Sequence, residues 1–403
     1  MKNLLFITLF SITSTVASFA EGVDNLKWQK GYFDIHFMHT GGGNTSFIIF
    51  PDGTTLLYDA GDSRGSAKDP FFKPFDDKDI TVPKRIADYV KFFAPNGVID
   101  YAVVSHFHND HYGEIRKDTP TSSNDEYRLA GIVGVGEEIP IRNLIDRAYP
   151  NYNYPIDLIA QNDPALDNYL KFIDYQAKHN NMNVAMLTPG VNTQITQLYD
   201  KSANPQFDVR NVKVNQLIWM GSGDNVAAYP FDPPLVTSKG YYNENPLSIA
   251  LLFTYGRFEY FVAADIAGEN DYPDYDMETP IANIIGEVDA LSLNHHGYKD
   301  AVSSYYLTKT EPQIVVHQAC HEPHFAEKTL VTLRNHPADV YTASMPNDLK
   351  RWLGRLVSKN YKSTWGNFFI RVYDNGERFN VITLDADSYT PAVSATSKIY
   401  NSK

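Results

Sequence analysis

The stretch that most constrains this chain is Ser105-His106-Phe107-His108-Asn109-Asp110-His111, which directly follows the apolar run 99–104, Ile-Asp-Tyr-Ala-Val-Val. Three histidines and an aspartate fall within six residues, at the point where a buried strand would end. A loop in that place can aim several side chains at one point, because the strand behind it is rigid. Imidazole nitrogen and carboxylate oxygen are the donors that suit Zn²⁺ and similar divalent ions. His106 and His108, two apart, can bind one ion together, while Asp110 and His111 curl toward a second position. Histidine is only 12 of 403 residues, so a surface loop that is dense in it by chance explains the stretch poorly.

Strands that end in potential ligands recur along the chain. Tyr32 to Met38 alternates loosely, Phe47-Ile48-Ile49-Phe50 turns through Pro51-Asp52-Gly53, and Leu56-Leu57-Tyr58 ends in Asp59-Ala60-Gly61. Pro-Asp-Gly between two apolar runs is a hairpin signal. The glycines Gly41, Gly42 and Gly43 let the backbone approach something closely. Val82 to Phe93 reads as a helix, with Pro83 in its first turn and Ile86, Tyr89, Val90 and Phe93 on one face. A second helix is expected from Asp163 to His179. Val212 to Trp219 reads as one strand, and Leu247 to Phe253 is followed by Phe258 to Ala264, which ends in Asp265. Val288 to Leu293 ends in Asn294-His295-His296-Gly297, and Ile314-Val315-Val316 ends in His317. A helix from Glu327 to Arg334 and a hairpin over Phe368–Leu384, turning at Asp374-Asn375-Gly376, close the order.

Hydrophobic residues at 43% are ample for a packed core. Residues 1–20 read differently: Lys2, the short apolar run 4–10 and the small-residue close Ser18-Phe19-Ala20 have the form of a secretory signal peptide. The expected location is therefore secreted or periplasmic. The run is shorter than a membrane span needs, and no later segment is long and apolar enough to be one. Loss of Lys2 with that segment takes the formal charge from −13 to −14, which gives no general attraction to phosphate backbones. Cys320 is the only cysteine, so an exported chain must fold without an internal disulfide. Residues 21–403 read as one domain, with an insertion at about 115–210.

The His-x-His-x-Asp-His pattern at 106–111 resembles the signature of the metallo-β-lactamase superfamily of hydrolases. The likeness covers about residues 32–345 and is nearest the ComEC-like branch. His36-Phe37 through Ser46, with Pro51-Asp52-Gly53 to Asp59-Ala60-Gly61, is similar to that branch's opening. Asn243-Glu244-Asn245 with Leu247-Ser248, then Tyr255-Gly256 to Asp265-Ile266 and Gly268-Glu269, is similar to its middle. The doubled histidine of His295-His296-Gly297, followed by Ser303, is similar to its close. The resemblance implies an α/β (α+β) chain folded as a four-layer αββα sandwich. It implies that His106 and His108 serve one metal position and Asp110 and His111 a second, with Asp265 bridging. One of His295 or His296 closes the second position; His296 is favoured because it directly precedes a glycine, and the other would shuttle protons. Asp59 is expected to steady the metal loop by hydrogen bonds, or else only to form a turn.

Two departures stand out. Many relatives supply a third histidine between the metal loop and the bridging aspartate, where this chain has only His179, read as solvated. The opening glycine stretch usually carries acidic residues where this chain has His39 and Asn44. His317, Cys320, His321 and His324 form a further cluster, in which His324 is expected to line the active site and the others to be structural, solvated or, least favoured, an independent metal site.

The expected cofactor is Zn²⁺, as one or two ions, with Mn²⁺ the alternative. A bound divalent ion makes hydroxide available near neutrality, so the expected chemistry is hydrolysis. Asp110 would orient the water, and His295 or His324 would protonate the leaving group. The substrate is expected to be a small molecule or polymer with a phosphodiester bond. A carboxylic ester or lactone hydrolase, and a metal-stabilised binding module without turnover, are the alternatives. No Gly-rich phosphate loop or exposed-serine elbow competes with the hydrolase reading.

Overall fold

Alternation along the first strand, β1 (Phe33–Phe37), sends Phe33, Ile35 and Phe37 to one face and Asp34 and His36 to the other. In the computed structural model, the described residues are 26–63, 71, 80–231, 235–268, 275–357, 359–386 and 390–403. The expected signal segment and Glu269 lie outside them. Phe33, Ile35 and Phe37 enter a core shared with Phe253, Tyr260 and Phe368, between two sheets. On the opposite face Asp34 pairs with Arg371 at 2.6 Å, and His36 stacks on Phe369 with ring centroids 4.5 Å apart.

The expected hairpin forms: β2 (Ser46–Ile49) and β3 (Thr55–Tyr58) pair antiparallel. Its turn is held by Asp52, whose Oδ1 accepts Thr54 N–H at 2.9 Å. The helix α1 (Val82–Phe93) follows, with Thr81 as its N-cap and Ile86, Tyr89, Val90 and Phe93 buried, as their spacing predicts. Strand β4 (Ile99–Val103) lies parallel to β3, and the short α2 (Asn109–Tyr112) carries the end of the histidine loop. Segment 115–210, expected as an insertion, supplies α3 (Gly131–Glu138), β5 (Ile141–Asp146), α4 (Pro164–Asn180) and β6 (Asn183–Met186). Strands β5 and β6 extend the sheet in parallel beyond β4. Asp163 caps α4 by accepting Ala165 N–H at 2.8 Å, so the helix begins where the sequence predicts.

The run 212–219, expected as one strand, is broken into β7 (Phe207–Val214) and β8 (Leu217–Trp219). Asn215 adopts φ 52° at the break, a left-handed conformation that asparagine tolerates and that lets the chain reverse tightly. Then come β9 (Val226–Ala228), β10 (Ala250–Tyr255), β11 (Phe258–Val262), α5 (Glu278–Ile285) and β12 (Ala290–Ser292). They are followed by α6 (Ser304–Thr310), β13 (Ile314–Val316), α7 (Glu327–Asn335), β14 (Asp339–Tyr341), α8 (Asn347–Leu353) and β15 (Tyr361–Ser363). The expected final hairpin is β16 (Phe368–Tyr373) with β17 (Arg378–Leu384), after which β18 (Val393–Thr396) and β19 (Tyr400–Asn401) finish the chain.

The first sheet runs β18-β17-β16-β1-β2-β3-β4-β5-β6, with β19 on β17, and the second runs β15-β14-β13-β12-β11-β10-β7-β8-β9. Both are mixed: β3 to β6 are parallel in one, and β11 to β15 in the other. The outer face of the first packs Ile86 and Phe93 with Ile132 and Phe172 from α1, α3 and α4. The outer face of the second packs Ile281 and Tyr306 from α5 and α6 against Phe261, Leu291 and Val315. Helices thus cover the outside of two sheets that face one another, an α+β sandwich. Among the described residues, no helix is long and apolar enough to cross a membrane.

Candidate metal centre

Ligands in open α/β sheets gather at the carboxyl ends of parallel strands, and both sheets obey that rule at one junction. Asp59 follows β3, His106 to His111 follow β4, Asp265 follows β11, His295 and His296 follow β12, and Cys320 and His324 follow β13. The sheets are tied there by Ile249, whose N–H donates to the Ser105 carbonyl at 3.0 Å. The Tyr58 hydroxyl donates to the Ile249 carbonyl at 2.6 Å. The backbone approach expected of the glycine stretch is also found. A Cβ on Gly43 would stand 2.4 Å, and one on Gly61 2.0 Å, from the Asp110 carbonyl oxygen.

At the centre, His111 Nε2 lies 3.2 Å from His296 Nε2 and 3.2 Å from Asp265 Oδ1. His296 Nε2 is 3.2 Å from Asp110 Oδ2 and 3.3 Å from Asp265 Oδ2. On the other side, His106 Nε2 is 3.1 Å from His108 Nδ1 and 3.8 Å from Asp265 Oδ2. Five of the six predicted ligands therefore meet around Asp265, and His108 joins them through His106. His111 is shared: it clusters with His106 and Asp265, and also with Asp110 and His296. His296 faces this cluster directly, whereas His295 stands at its rim with Nε2 3.9 Å from Asp265 Oδ2.

The protons on these rings show why the set fits a cation. His111 Nδ1 sits 2.8 Å from Asp59 Oδ2 and His296 Nδ1 sits 2.9 Å from the Gln318 carbonyl. Both partners only accept, so both Nδ1 atoms donate. In their neutral forms the two Nε2 atoms then point lone pairs at each other, an arrangement that needs a proton or a metal ion between them. Asp265 Oδ1 is buried and accepts no hydrogen bond of sound geometry, although His111 is near it. Burial opposes charge on His296, but Asp265 and Asp110 outweigh it and push its pKa up to about 10. His111 is held well above the ordinary range in the same way, against burial, by Asp265, Asp59 and Asp110. Burial would raise Asp265, but His111 and His296 hold it well below the usual carboxylate range. His106, pushed well down by burial and then by His111, stays neutral and free to donate a lone pair.

Surrounding groups fix each donor. Asp59, at φ 59°, accepts Ser105 N–H and Ser105 Oγ–H, each at 2.7 Å, besides His111; it steadies the metal loop as expected. His295 is held by Asp300 Oδ1 at 2.6 Å from Nδ1 and by Asn245 Nδ2 at 3.0 Å from Nε2. His324 does line the site, stacked on His296 with ring planes 6° apart and centroids at 4.3 Å; burial and then His296 push its pKa well down. His317 is structural: its Nε2 lies 2.8 Å from the His296 carbonyl and 3.1 Å from that of His324. His321 packs edge-on against His324. His179 is exposed on α4, its ring tilted against Tyr175, so it supplies no third histidine.

Several contributors carry no signal of their role in the sequence. Glu244 Oε1 accepts the Phe107 N–H at 3.0 Å, and Glu244 is itself gripped by the buried Arg147, with Nη2 to Oε2 at 2.6 Å. Lys213 Nζ, buried, donates to the Pro246 and Ser248 carbonyls, both at 2.7 Å. Glu278 accepts from Asn294 Nδ2 at 2.8 Å, Val302 N–H at 2.7 Å and Ser303 N–H at 2.9 Å. Glu244 stands in a stretch that the resemblance marks; nothing local marks Arg147, Lys213 or Glu278.

Compared with models of known families and with curated proteins, the sequence matches none.

Proposed function

We propose that this chain is an exported metal-dependent hydrolase of the metallo-β-lactamase superfamily, ComEC-like branch, acting on phosphodiester bonds. The observation that carries the reading is the approach of His111 and His296, Nε2 to Nε2, beside Asp110 and Asp265 at the junction of the sheets. The layering of helices outside two facing sheets supports the αββα sandwich of that superfamily. His106, His108 and Asp265 would hold one divalent ion; Asp110, His111 and His296 would hold a second, with Asp265 shared. Zinc suits such nitrogen and oxygen donors, with manganese the alternative. A bound ion supplies Lewis acidity and lowers the pKa of its water to about 7.

The chain's own groups do the rest. Asp110, with its side chain 22% exposed, is the one ligand carboxylate open to incoming water and orients it. His295, also at the rim, would carry the proton for the leaving oxygen on Nε2, with the Asn245 amide turned so that its oxygen, otherwise buried without a partner, accepts it. Burial works against its charge, but Asp300 and Asp265 raise its pKa, and Asp300 fixes the ring. His324 is too strongly held neutral to supply that proton. His106, His111, Asp265 and His296 are buried and keep bulk water from the reacting atoms. The phosphodiester preference rests on the ComEC-like stretches, and export rests on residues 1–20.

The test is elemental analysis of the mature protein, paired with turnover of bis-(p-nitrophenyl) phosphate before and after Asp265→Ala. Bound divalent metal with chelator-sensitive turnover that the variant loses is the expected result. Turnover of carboxylic esters alone would move the substrate to esters or lactones. Metal without any turnover would leave a binding module, and absence of metal uptake would overturn the reading.

A further inference from the structure

Cys320 is the only cysteine in 403 residues, and the histidine–aspartate centre described above gives it no part. It is buried on the loop after β13. Its Sγ lies 3.9 Å from Asp110 Oδ2 and 3.7 Å from His324 Nδ1. One donor atom from each of His296, Cys320 and His324 falls within 4.8 Å of the others, and Asp110 Oδ2 is 3.2 Å from His296 Nε2. Donors around a tetrahedral ion with bonds of the usual length stand about 3.3–3.8 Å apart. The sulfur thus lies just beyond that spacing from Asp110 Oδ2 and within 4.8 Å of the His296 donor, close enough that a small shift of its loop brings it onto an ion that Asp110 and His296 hold.

The position is built into the fold. The His317 ring faces the carbonyls of both His296 and His324 through Nε2, so one buried side chain ties together the two turns that carry these donors. Its Nδ1 lies 2.7 Å from the Tyr361 hydroxyl, which fixes the ring's direction. Cys320 N–H donates to His324 Nδ1 at 3.2 Å, and Ser344 Oγ–H donates to the Ala319 carbonyl, one residue before the thiol. Thiol and imidazole are thus presented to Asp110 by a braced loop.

We propose that the ion position at Asp110 and His296 is completed by the Cys320 thiolate, with His324, whose Nδ1 takes the Cys320 N–H, holding the loop that presents the sulfur. The proposal rests on the metal reading above, since Asp110 and His296 belong to both. On binding, the sulfur–metal bond forms as the thiol proton leaves to solvent, because the thiolate is the ligand form. A sulfur donor among imidazoles and a carboxylate selects zinc over manganese or magnesium.

Titration of the metal-free, full-length mature protein with cobalt(II), followed by absorption, tests this. Because there is one cysteine, an intense sulfur-to-cobalt charge-transfer band in the near ultraviolet reports on Cys320 without any variant. The expected result is that band together with visible ligand-field absorption. In Cys320→Ser the near-ultraviolet band disappears, the visible absorption remains, and zinc affinity falls at least about 10-fold, with an unchanged circular dichroism spectrum. Visible absorption without the charge-transfer band in the unaltered protein overturns the thiolate and leaves the histidine–aspartate centre standing. Absence of cobalt and zinc uptake overturns both.

Discussion

The first sheet delivers His106, His108, Asp110 and His111 from one loop after β4, whereas the second delivers Asp265, His296 and Cys320 from the ends of three different strands. In the loop, the spacing between donors is set by the chain itself, and the fold has only to pin it, through Asp59 and Glu244. In the second sheet, spacing is set by ladder register, Tyr260 opposite Ala290 and Ala290 opposite Ile314. It is then adjusted by backbone held in costly conformations. Ala264, His295, His296 and Val302 have φ of 45°, 45°, 53° and 61°, and no non-glycine residue of 104–112 is left-handed. Each such residue costs about 1–2 kcal/mol, and surrounding contacts offset it: Glu278 takes the Val302 N–H, and the Ala264 carbonyl takes the His295 N–H at 2.9 Å. Donors that are adjacent in sequence need pinning; donors gathered from separate strands need a strained and braced backbone.

The comparison can be broken at several strengths. Asp265→Ala removes the one carboxylate that faces both groups of donors, and metal affinity should fall by more than about 100-fold, since even loss of an outer partner costs 10–100-fold. Equilibrium dialysis against a zinc chelator reads it. Loss of only one of two bound ions, with the other unaffected, would show that the halves do not share this residue.

Arg147→Met leaves Glu244 buried without its cation, and should destabilise the fold by about 3–5 kcal/mol. Arg147→Met combined with Glu244→Leu should recover most of that in urea denaturation while still weakening metal binding, because Phe107 N–H has then lost its acceptor. Recovery of both would mean that Glu244 does not pin the loop.

On the second sheet, Glu278→Ala strands three buried donors, for a loss of about 3 kcal/mol or more. Glu278→Gln should lose less. If Glu278→Ala unfolds no sooner than the unaltered protein, the bracing argument for the second sheet fails. Asp59→Asn removes the charge behind His111 and turns one accepting oxygen toward its donors as an amide; zinc affinity should drop about 10–100-fold, with about 1–3 kcal/mol lost from the metal-free fold.

The smallest effect is a pH dependence. In metal-free protein, His296 keeps its proton up to about 10 when folded, against an ordinary value of 6.5. The folded state therefore binds more protons between those values, and the contribution is full below about 6.5 and lost as pH rises toward 10. Chelated protein should melt several degrees lower at high pH than near neutrality, and His296→Asn should flatten that slope. With zinc present the dependence should weaken or reverse, as metal replaces the protons.

The histidine loop was legible because its donors are neighbours in the chain, and the amphipathic helix at 82–93 because its period is regular. The strand break at Asn215 was not, since an apolar run looks the same whether it continues or reverses. Nor was the placing of β16 and β17 beside β1, or the burial of Arg147, Lys213 and Glu278. A charged side chain reads as solvated until its partner, roughly a hundred residues away for Arg147 and Glu244, is brought to it.

By itself the sequence determined the chemistry of the donors, the strands that end in them and the strand–strand–helix–strand order that leads to the histidine loop. Only the tertiary structure decided that His296 rather than His295 faces the cluster, that His111 is shared, and that Cys320 comes to Asp110. Those outcomes depend on distances between strand ends, which are fixed by sheet register and by the facing of two sheets, and no local pattern encodes either.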